Sequence, residues 1–315
     1  MKAGEAMIAA DAARDTRAWQ DDRSLKFSGH ESFVIRYGWL PKLHGAVVET
    51  PEIFSSDERA ILALGLGRNM VKSIRFWGDA LGLIRQEGRS VVPTDLAVRL
   101  LDPVTGRDPY LEDVGSLWRL HWLLVTRARL GAWATLFMDV RDAVIPRERL
   151  VASVVGRAET LGSRVSPATA AAHVDILVRT YHAGRNDGPT IVEDALGCPL
   201  QELDLVRQEA VLGTPTLRLS RGPKPTLDLP ALAFALHDFW TGTAPGSSAI
   251  ALRSLMLARR SPGMVFVLDE ASLHERLAAL CATIAGFELR DDGAGGVDLV
   301  ATRPAALDEL ESLAW

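Results

Sequence analysis

Apolar and polar positions recur at helical spacing over residues 55–81, which predicts two short helices. Ser55 with Glu58 three positions later has the spacing of a capping box and opens the first helix. A glycine-rich turn at 65–67 ends that helix, and a second helix is predicted over 68–81. Two helices joined by a tight glycine-containing turn are the pattern of a helix-turn-helix.

The second helix divides into an apolar face and a cationic face. Apolar residues at spacings of four, three and four share one side: Met70, Ile74, Trp77 and Leu81. Charged residues at the same spacing share the opposite side: Arg68, Lys72, Arg75 and Asp79. A recognition helix needs this division, because Arg and Lys must reach phosphates or guanine edges while the apolar side anchors the helix. Asn69 in the first turn suits a bidentate contact to adenine. A solvated surface helix would show the same pattern.

A short hairpin is predicted after this helix. Two apolar segments flank a polar tip at 86–89, and Thr94 then caps a further short helix. Helix, turn, helix and hairpin in this order are typical of a winged helix. Its wing carries Arg85 and Arg89, which would lie near a DNA backbone or minor groove. Winged helices also serve as protein-docking modules, so the pattern leaves both roles open.

Beyond residue 110 the pattern mostly predicts structural elements rather than functional residues. The segment 117–125 predicts a helix buried on most sides, with His121 as a hydrogen-bonded core residue. Ser166 opens another helix over 167–179, and glycines bound a loop at 184–188. Four tryptophans are expected to join the helix-turn-helix to this helical layer: Trp77, Trp118, Trp122 and Trp133.

The C-terminal part of the chain predicts short strands and helices. Residues 216–219 and 226–229 flank a basic segment at 220–225, which indicates a second hairpin with a basic tip. A helix around 232–240 follows. The next segments predict a strand, a helix and two strands, an order compatible with a second winged-helix-like unit: 264–268, 272–284, 287–290 and 297–300.

These elements predict a mainly α fold with small β hairpins, in the α+β class. An N-terminal winged helix-turn-helix would pack on a helical layer, followed by a C-terminal α/β unit. Four segments are expected along the chain. They are a flexible arm, a winged-helix DNA-binding domain, a helical domain and a C-terminal α/β domain with an acidic end: 1–24, 25–110, 111–185 and 186–315.

Charge is unevenly distributed along the chain, whose net charge is −5. Residues 25–107 hold 11 Lys and Arg against 9 Asp and Glu, whereas residues 269–315 hold 3 against 10. Because a duplex responds to the field within about 8–10 Å, the local balance matters more than the total. The first segment therefore suits double-stranded DNA, and the acidic end suits a basic protein partner. A homo-oligomer is an open alternative.

The sequence predicts a cytoplasmic protein. No apolar run approaches the roughly 18 residues of a membrane helix, and no apolar stretch of a secretory signal follows the N-terminus. Cys198 and Cys281 lie far apart and form neither a disulfide framework nor a CxxC site.

Several enzyme classes are excluded by the motifs that the chain lacks. There is no GxxxxGK[ST] loop, no HExxH and no GxSxG, and the glycines at 65–67 are not followed by the third glycine of GxGxxG. We therefore expect no nucleotide or flavin cofactor, and an enzyme acting on small metabolites is the least supported class.

A polar cluster at 28–39 is the first candidate for chemistry. His30 could serve as a general base, Glu31 could orient it or bind a metal ion, and Arg36 could hold a phosphate. The alternative is a buried polar turn whose side chains bond the backbone of the neighbouring helices.

A second candidate is the acidic segment 108–113, which precedes a helix. With Glu31, its carboxylates could bind Mg²⁺ or Mn²⁺ if the fold brings the two segments together: Asp108, Glu112 and Asp113. Carboxylates also favour helix N-termini through the helix dipole, so a metal ion is not needed to explain them.

Six blocks of the sequence closely resemble the family called domain of unknown function 4007. The blocks run in the family's order over about residues 27–290, and they read FSGHESF, RYGWL, GLGRNMVKSIRFW, DPYLED, LWRLHW and SPGMVFVLDE. The resemblance therefore covers nearly the whole folded chain.

The resemblance implies a bacterial protein encoded beside DNA sulfur-modification genes in defence islands. One member type is regarded as a DNA nickase that opens one strand so that partners can replace a phosphate oxygen with sulfur. Those partners would be a cysteine desulfurase, a sulfurtransferase resembling phosphoadenosine-phosphosulfate reductase, and an ATPase. Other members would be non-catalytic DNA-binding adaptors or transcriptional regulators. A docking scaffold without DNA binding is the third hypothesis.

Overall fold

A computed structural model describes residues 24–182 and 197–314. The predicted arm at 1–24 lies almost wholly outside this described part, and the predicted loop at 184–188 lies wholly outside it.

Helices dominate, and small antiparallel sheets accompany them, as the α+β prediction required. The described α-helices are α1 Trp39–Glu49, α2 Asp57–Leu64, α3 Arg68–Ala80, α4 Asp95–Leu101, α5 Val114–Thr126, α6 Gly131–Ala134, α7 Arg147–Thr160, α8 Pro167–Tyr181, α9 Leu229–Thr243, α10 Leu252–Leu257, α11 Pro262–Val265, α12 Glu270–Thr283 and α13 Ala305–Ala314. The described strands are β1 Ile84–Glu87, β2 Ser90–Pro93, β3 Val144–Pro146, β4 Val206–Val211, β5 Thr214–Leu219, β6 Ala249–Ala251, β7 Phe287–Asp291 and β8 Val297–Ala301. They form three sheets in the orders β1-β2, β3-β5-β4 and β6-β8-β7.

The predicted helix-turn-helix segment folds as two helices, α2 and α3, joined by a short turn. The cap of α2 is Ser56 rather than Ser55, because the Ser56 hydroxyl accepts from the Arg59 amide at 3.2 Å. Gly65 ends α2 in the left-handed conformation, at φ 60°, which glycine adopts without a Cβ penalty. The hairpin β1–β2 follows α3, with Glu87 opposite Ser90 across a two-residue turn.

The helix α5 forms the centre of the core, and its residues from 115 to 126 are all buried. His121 is a hydrogen-bonded core residue, as predicted, since its ring nitrogens lie 2.7 Å from Tyr181 Oη and 2.8 Å from the Val265 carbonyl. Trp77 of α3 meets Trp133 of α6 edge to face, with ring centroids 6.0 Å apart. Of the four predicted tryptophans, Trp77 and Trp133 therefore join α3 to the helical layer, whereas Trp118 and Trp122 contact Phe266.

The predicted hairpin between 216–219 and 226–229 is wrong. β5 pairs instead with β4 and β3, and residues 226–228 lead into α9, whose cap Asp228 accepts from the Ala231 amide. Both edges of β5 are occupied, by β3 and β4, and Asp228 followed by Pro230 is a helix-start signal.

The predicted strand at 264–268 is also wrong. Pro262–Val265 is a short helix capped by Ser261, and the following residues 266–268 are fully buried without joining a sheet. A short run that is apolar on all sides cannot be told from a buried strand by its periodicity. The Ser-Pro pair at 261–262 was the informative signal, because proline favours the first helical position. The helix at 272–284 and the two later strands are confirmed as α12, β7 and β8.

Among the described residues, no helix combines the length and the apolar character that a membrane span requires.

Candidate nucleic-acid interface

Helix α3 is fixed by one side and exposed on the other. Its buried positions are Val71, Ser73, Ile74, Trp77, Gly78 and Ala80, and the Trp77 Nε1 donates to the Phe33 carbonyl at 3.1 Å. The predicted DNA contacts on the opposite side are all exposed: Arg68, Asn69, Lys72 and Arg75. The helical period therefore places the anchoring side chains and the cationic side chains on opposite sides of α3, as expected.

A groove of about 390 Å³ lies between α3 and the β1–β2 hairpin. Its cationic wall is formed by Lys72, Arg75 and Arg85, and its apolar floor includes Phe76 and Ile84. The hairpin thus lies beside the exposed side of α3, and both elements contribute cationic side chains to one groove, which Asp79 also lines.

Arg75 couples the helix to the hairpin. Its guanidinium donates to Gln86 Oε1 at 3.1 Å and lies over the Phe54 ring at 4.9 Å. Gln86 in turn donates to the carbonyls of Gly88 and Ser90, which holds the hairpin tip in place. The arginine is consequently pre-organised rather than freely rotating, which lowers the entropic cost of a contact. Sequence reasoning did not assign these roles to Phe54 and Gln86.

The other cations on this surface have weak partners or none. Arg68 lies 3.6 Å from the Asp57 carboxylate, and Arg85 lies 2.7 Å from that of Glu87. These pairs are exposed, and such pairs contribute at most about 1 kcal/mol, so a phosphate can displace them. Lys72 and Arg89 have no ion-pair partner within the part of the chain that the structure describes.

Lys26 extends the same surface, and the sequence did not reveal it. Its Nζ lies 3.0 Å from the Asp79 carboxylate and 5.9 Å from the centre of the Phe76 ring. Asp79 is the one acidic residue of α3, and Lys26 offsets its charge. The contact joins residues 53 positions apart, so no local sequence pattern could indicate it.

His30 does not lie where a general base would be useful. It is 5% exposed, and its Nδ1 accepts the Ser32 amide at 3.2 Å. The proton of neutral His30 therefore lies on Nε2, which donates to His173 Nδ1 at 3.1 Å. Burial, with a smaller contribution from the nearby Arg179 charge, lowers the pKa of His30 to about 4. Both ring nitrogens are thus engaged within the protein.

The rest of the 28–36 segment forms a turn that is tied to its neighbours. Glu31 is exposed at φ 48°, and Arg179 donates to the Ser32 carbonyl at 2.9 Å. The Arg36 guanidinium lies over the rings of Phe33 and Trp39, at 5.5 and 5.7 Å. The turn is therefore largely exposed around a buried His30 and is held by contacts from neighbouring elements. These contacts do not require catalysis, and the roles predicted for His30, Glu31 and Arg36 stay predictions.

The carboxylates at 108–113 have structural partners. Asp108 accepts the amides of Glu112 and Asp113, each at 3.0 Å, and Asp113 caps α5 by accepting the Gly115 amide at 2.9 Å. Across residues 24–182 and 197–314, no three His, Cys, Asp or Glu side chains are grouped as metal ligands. The fold therefore does not assemble the predicted metal site: Glu31, Asp108, Glu112 and Asp113.

Comparison with solved structures shows close similarity to SspB. A magnesium ion-bound SspB crystal structure superposes with a TM-score of 0.80 at 30% identity, covering 90% of this chain and 85% of that chain. A second SspB crystal structure gives a TM-score of 0.79 at 29% identity, with the same coverage. No significant match was found among curated proteins.

The family comparison agrees with the resemblance carried by the six sequence blocks. The model of the family DUF4007, described as a protein of unknown function, matches residues 27–313. This range includes every described helix and strand, apart from the last residue of α13. The chain belongs to the DUF4007 family.

Proposed function

We propose that this chain binds double-stranded DNA and that residues 39–101 act as a winged helix. The observation that supports this most directly is the exposed cationic side of α3 beside the β1–β2 hairpin. In this arrangement α3 enters the major groove, where Asn69 and Arg68 in its first turn reach base edges. Lys72 and Arg75 contact phosphates, and the hairpin lies against the backbone with Arg85 and Arg89.

The charge distribution predicts binding of modest affinity. The chain carries a net charge of −5, so attraction is confined to this surface and is screened within a Debye length of about 8–10 Å. Four cations that face the backbone release a similar number of counterions, which gives a steep dependence on salt. These four are Lys72, Arg75, Arg85 and Arg89.

A salt titration tests this proposal. The logarithm of the duplex association constant is expected to fall linearly with the logarithm of salt concentration, with a slope of about −3 to −4 for four phosphate contacts. Fluorescence anisotropy of a labelled duplex between about 50 and 200 mM salt measures it. Failure to bind duplex at the lowest salt would contradict the proposal and favour a docking scaffold.

The similarity to SspB and the family membership support a biological setting, namely a bacterial DNA phosphorothioation system. We propose that the chain positions DNA for the cysteine desulfurase, the reductase-like sulfurtransferase and the ATPase of such a system. Its acidic C-terminal part is the surface available to a basic protein partner, because residues 269–315 hold 3 Lys and Arg against 10 Asp and Glu. The hairpin β7–β8 carries two of these acids at its turn, Asp291 and Asp292.

Strand nicking is the second candidate function. The similar SspB crystal structure is magnesium ion-bound, and on this ground we propose that nicking by this chain would need a divalent metal ion. The carboxylates predicted here as ligands do not fit a shared ion, because Asp108 and Asp113 accept backbone amides. We therefore propose the activity without assigning its catalytic residues.

Conversion of supercoiled plasmid to open circles tests nicking. The expected result is conversion in Mg²⁺ or Mn²⁺ and none in a chelator. The control is the Lys72→Glu, Arg75→Glu double variant, purified in parallel. If nicking belongs to this chain, the variant loses it because it no longer holds DNA, whereas a contaminating nuclease would persist in both preparations.

A further inference from the structure

A cavity of about 490 Å³ lies between the segment that follows α6 and one side of helix α7. One wall is a π-helical segment, Thr135–Asp139, closed by a 3.0 Å bond from the Val140 amide to the Thr135 carbonyl. Single π turns occur frequently at functional sites because they re-aim side chains out of the regular helical pattern. Here the turn places Asp139 at the edge of the cavity.

Arginines converge on this cavity. Arg141, Arg149 and Arg157 line it, and Arg259 lies against its carboxylate Asp139 at 2.6 Å. Two carboxylates, Asp139 and Asp142, also line the cavity. The lining thus holds three guanidinium groups against two carboxylates, an excess of one positive charge in a protein whose net charge is −5.

The ion pairs leave part of this charge available. Asp139 is shared between Arg157, at 3.9 Å, and Arg259, while Asp142 pairs with Arg149 at 3.2 Å. The Arg149 pair is exposed, with 65% of the arginine side chain accessible, so it is weak. Arg141 has no carboxylate partner in the described part of the chain, and its guanidinium rests on the Met264 sulfur.

The remaining polar groups of the cavity do not donate into it. The Thr135 hydroxyl donates to the Gly131 carbonyl at 2.8 Å, and the Ser153 hydroxyl donates to the Arg149 carbonyl at 2.9 Å. Guanidinium groups are thus the donors available to a ligand, and their planar forks match the oxygens of phosphate. Arg221 lies close enough to Arg141 for their charges to repel, and burial together with this repulsion lowers the pKa of Arg221.

We propose that this cavity is a phosphate-binding site, separate from the α3 surface, in which Arg141 and Arg149 grip the phosphate group. The group belongs either to a DNA backbone or terminus, or to free inorganic phosphate. The site stands whether or not α3 binds DNA, because it rests on different residues.

Calorimetry with inorganic phosphate as the probe tests the site first. Wild-type protein is expected to bind phosphate, and Arg141→Glu and Arg149→Glu are each expected to weaken binding by roughly tenfold or more, the loss of one or two charge-assisted hydrogen bonds. The matched control is Arg164→Glu, an exposed arginine beyond the end of α7 that does not line the cavity. All three variants change the net charge equally, and thermal unfolding verifies that each is folded.

A comparison of two duplexes, one with 5′-phosphate ends and one with 5′-hydroxyl ends, then identifies which kind of phosphate the site binds. A loss in Arg141→Glu that is equal for both duplexes assigns a backbone phosphodiester. A loss confined to the extra affinity for the 5′-phosphate assigns a terminus, and no loss for either assigns free phosphate. Absence of phosphate binding by wild type, binding of an aspartate-rich peptide in its place, or equal weakening by Arg164→Glu would overturn the proposal.

Discussion

Replacing Lys72 and Arg75 together by glutamate is expected to weaken duplex binding by roughly 100-fold or more at about 100 mM salt. Both side chains lie on the exposed side of α3 and line the groove beside the hairpin. The substitution removes two phosphate contacts and places two anions against the backbone. The salt slope should also become shallower by about 2, because roughly 0.9 counterions are released per contact.

Anisotropy titrations over a series of salt concentrations measure both effects. The control is the double variant Arg164→Glu, Arg253→Glu, which changes the net charge by the same amount at exposed positions outside α3 and the hairpin. An unchanged control with a weakened α3 variant supports a local interface. Equal losses in both variants would show that only total charge matters and would contradict the assignment of α3.

Local patterns in the sequence were sufficient to predict the parts of this surface that depend on helical period. The spacing of Ile74 and Trp77 against Lys72 and Arg75 decides which side of α3 is buried, and the structure agrees. The hairpin was predictable too, since Gly88 can adopt the positive φ of 59° that its tight turn needs.

Contacts between distant residues could not be predicted in the same way. The pairing of His30 with His173 spans 143 positions, and that of Lys26 with Asp79 spans 53. Because His30 and Glu31 are neighbours in the sequence, they were predicted to act together in catalysis. The fold instead buries His30 against α8. The prediction of a strand at 264–268 was wrong for a related reason, because helices on several sides, rather than a sheet, bury these residues.

Acidification from pH 6.5 to about 4.5 is expected to remove most of the folding stability. Burial lowers the pKa of all four buried histidines of the described chain, His44 among them. Three of these shifts are large: the pKa of His30 and of His121 falls to about 4 and that of His173 to about 3. The pKa of an unfolded histidine is about 6.5. The unfolded chain therefore binds more protons between these values, so stability is complete above pH 6.5 and is lost as the pH falls toward the folded pKa values.

The size of the effect follows from the number of histidines. Each loses about 1.4 kcal/mol per pH unit in this window, so three give at most about 4 kcal/mol per unit. Two units thus approach the whole unfolding free energy of an ordinary protein, about 5–15 kcal/mol. Carboxylates with lowered pKa values, such as Asp102 and Asp269, contribute only nearer their ordinary value of 3.8. The two windows can therefore be separated.

Urea unfolding at several pH values between 7.5 and 4.5 measures the slope. The double variant His30→Gln, His173→Gln should be less stable at pH 7.5 but show a much shallower slope, because His121 alone of the three remains. His274→Gln, at an exposed position of α12, should leave the slope as in wild type. The rings of His30 and His173 are stacked, with centroids 5.3 Å apart. This pair is the sensitive point, because protonating both would place two cations in contact, and the Arg179 charge further disfavours protonation of His30. A wild-type slope that stays flat down to pH 5 would contradict the neutral buried pair.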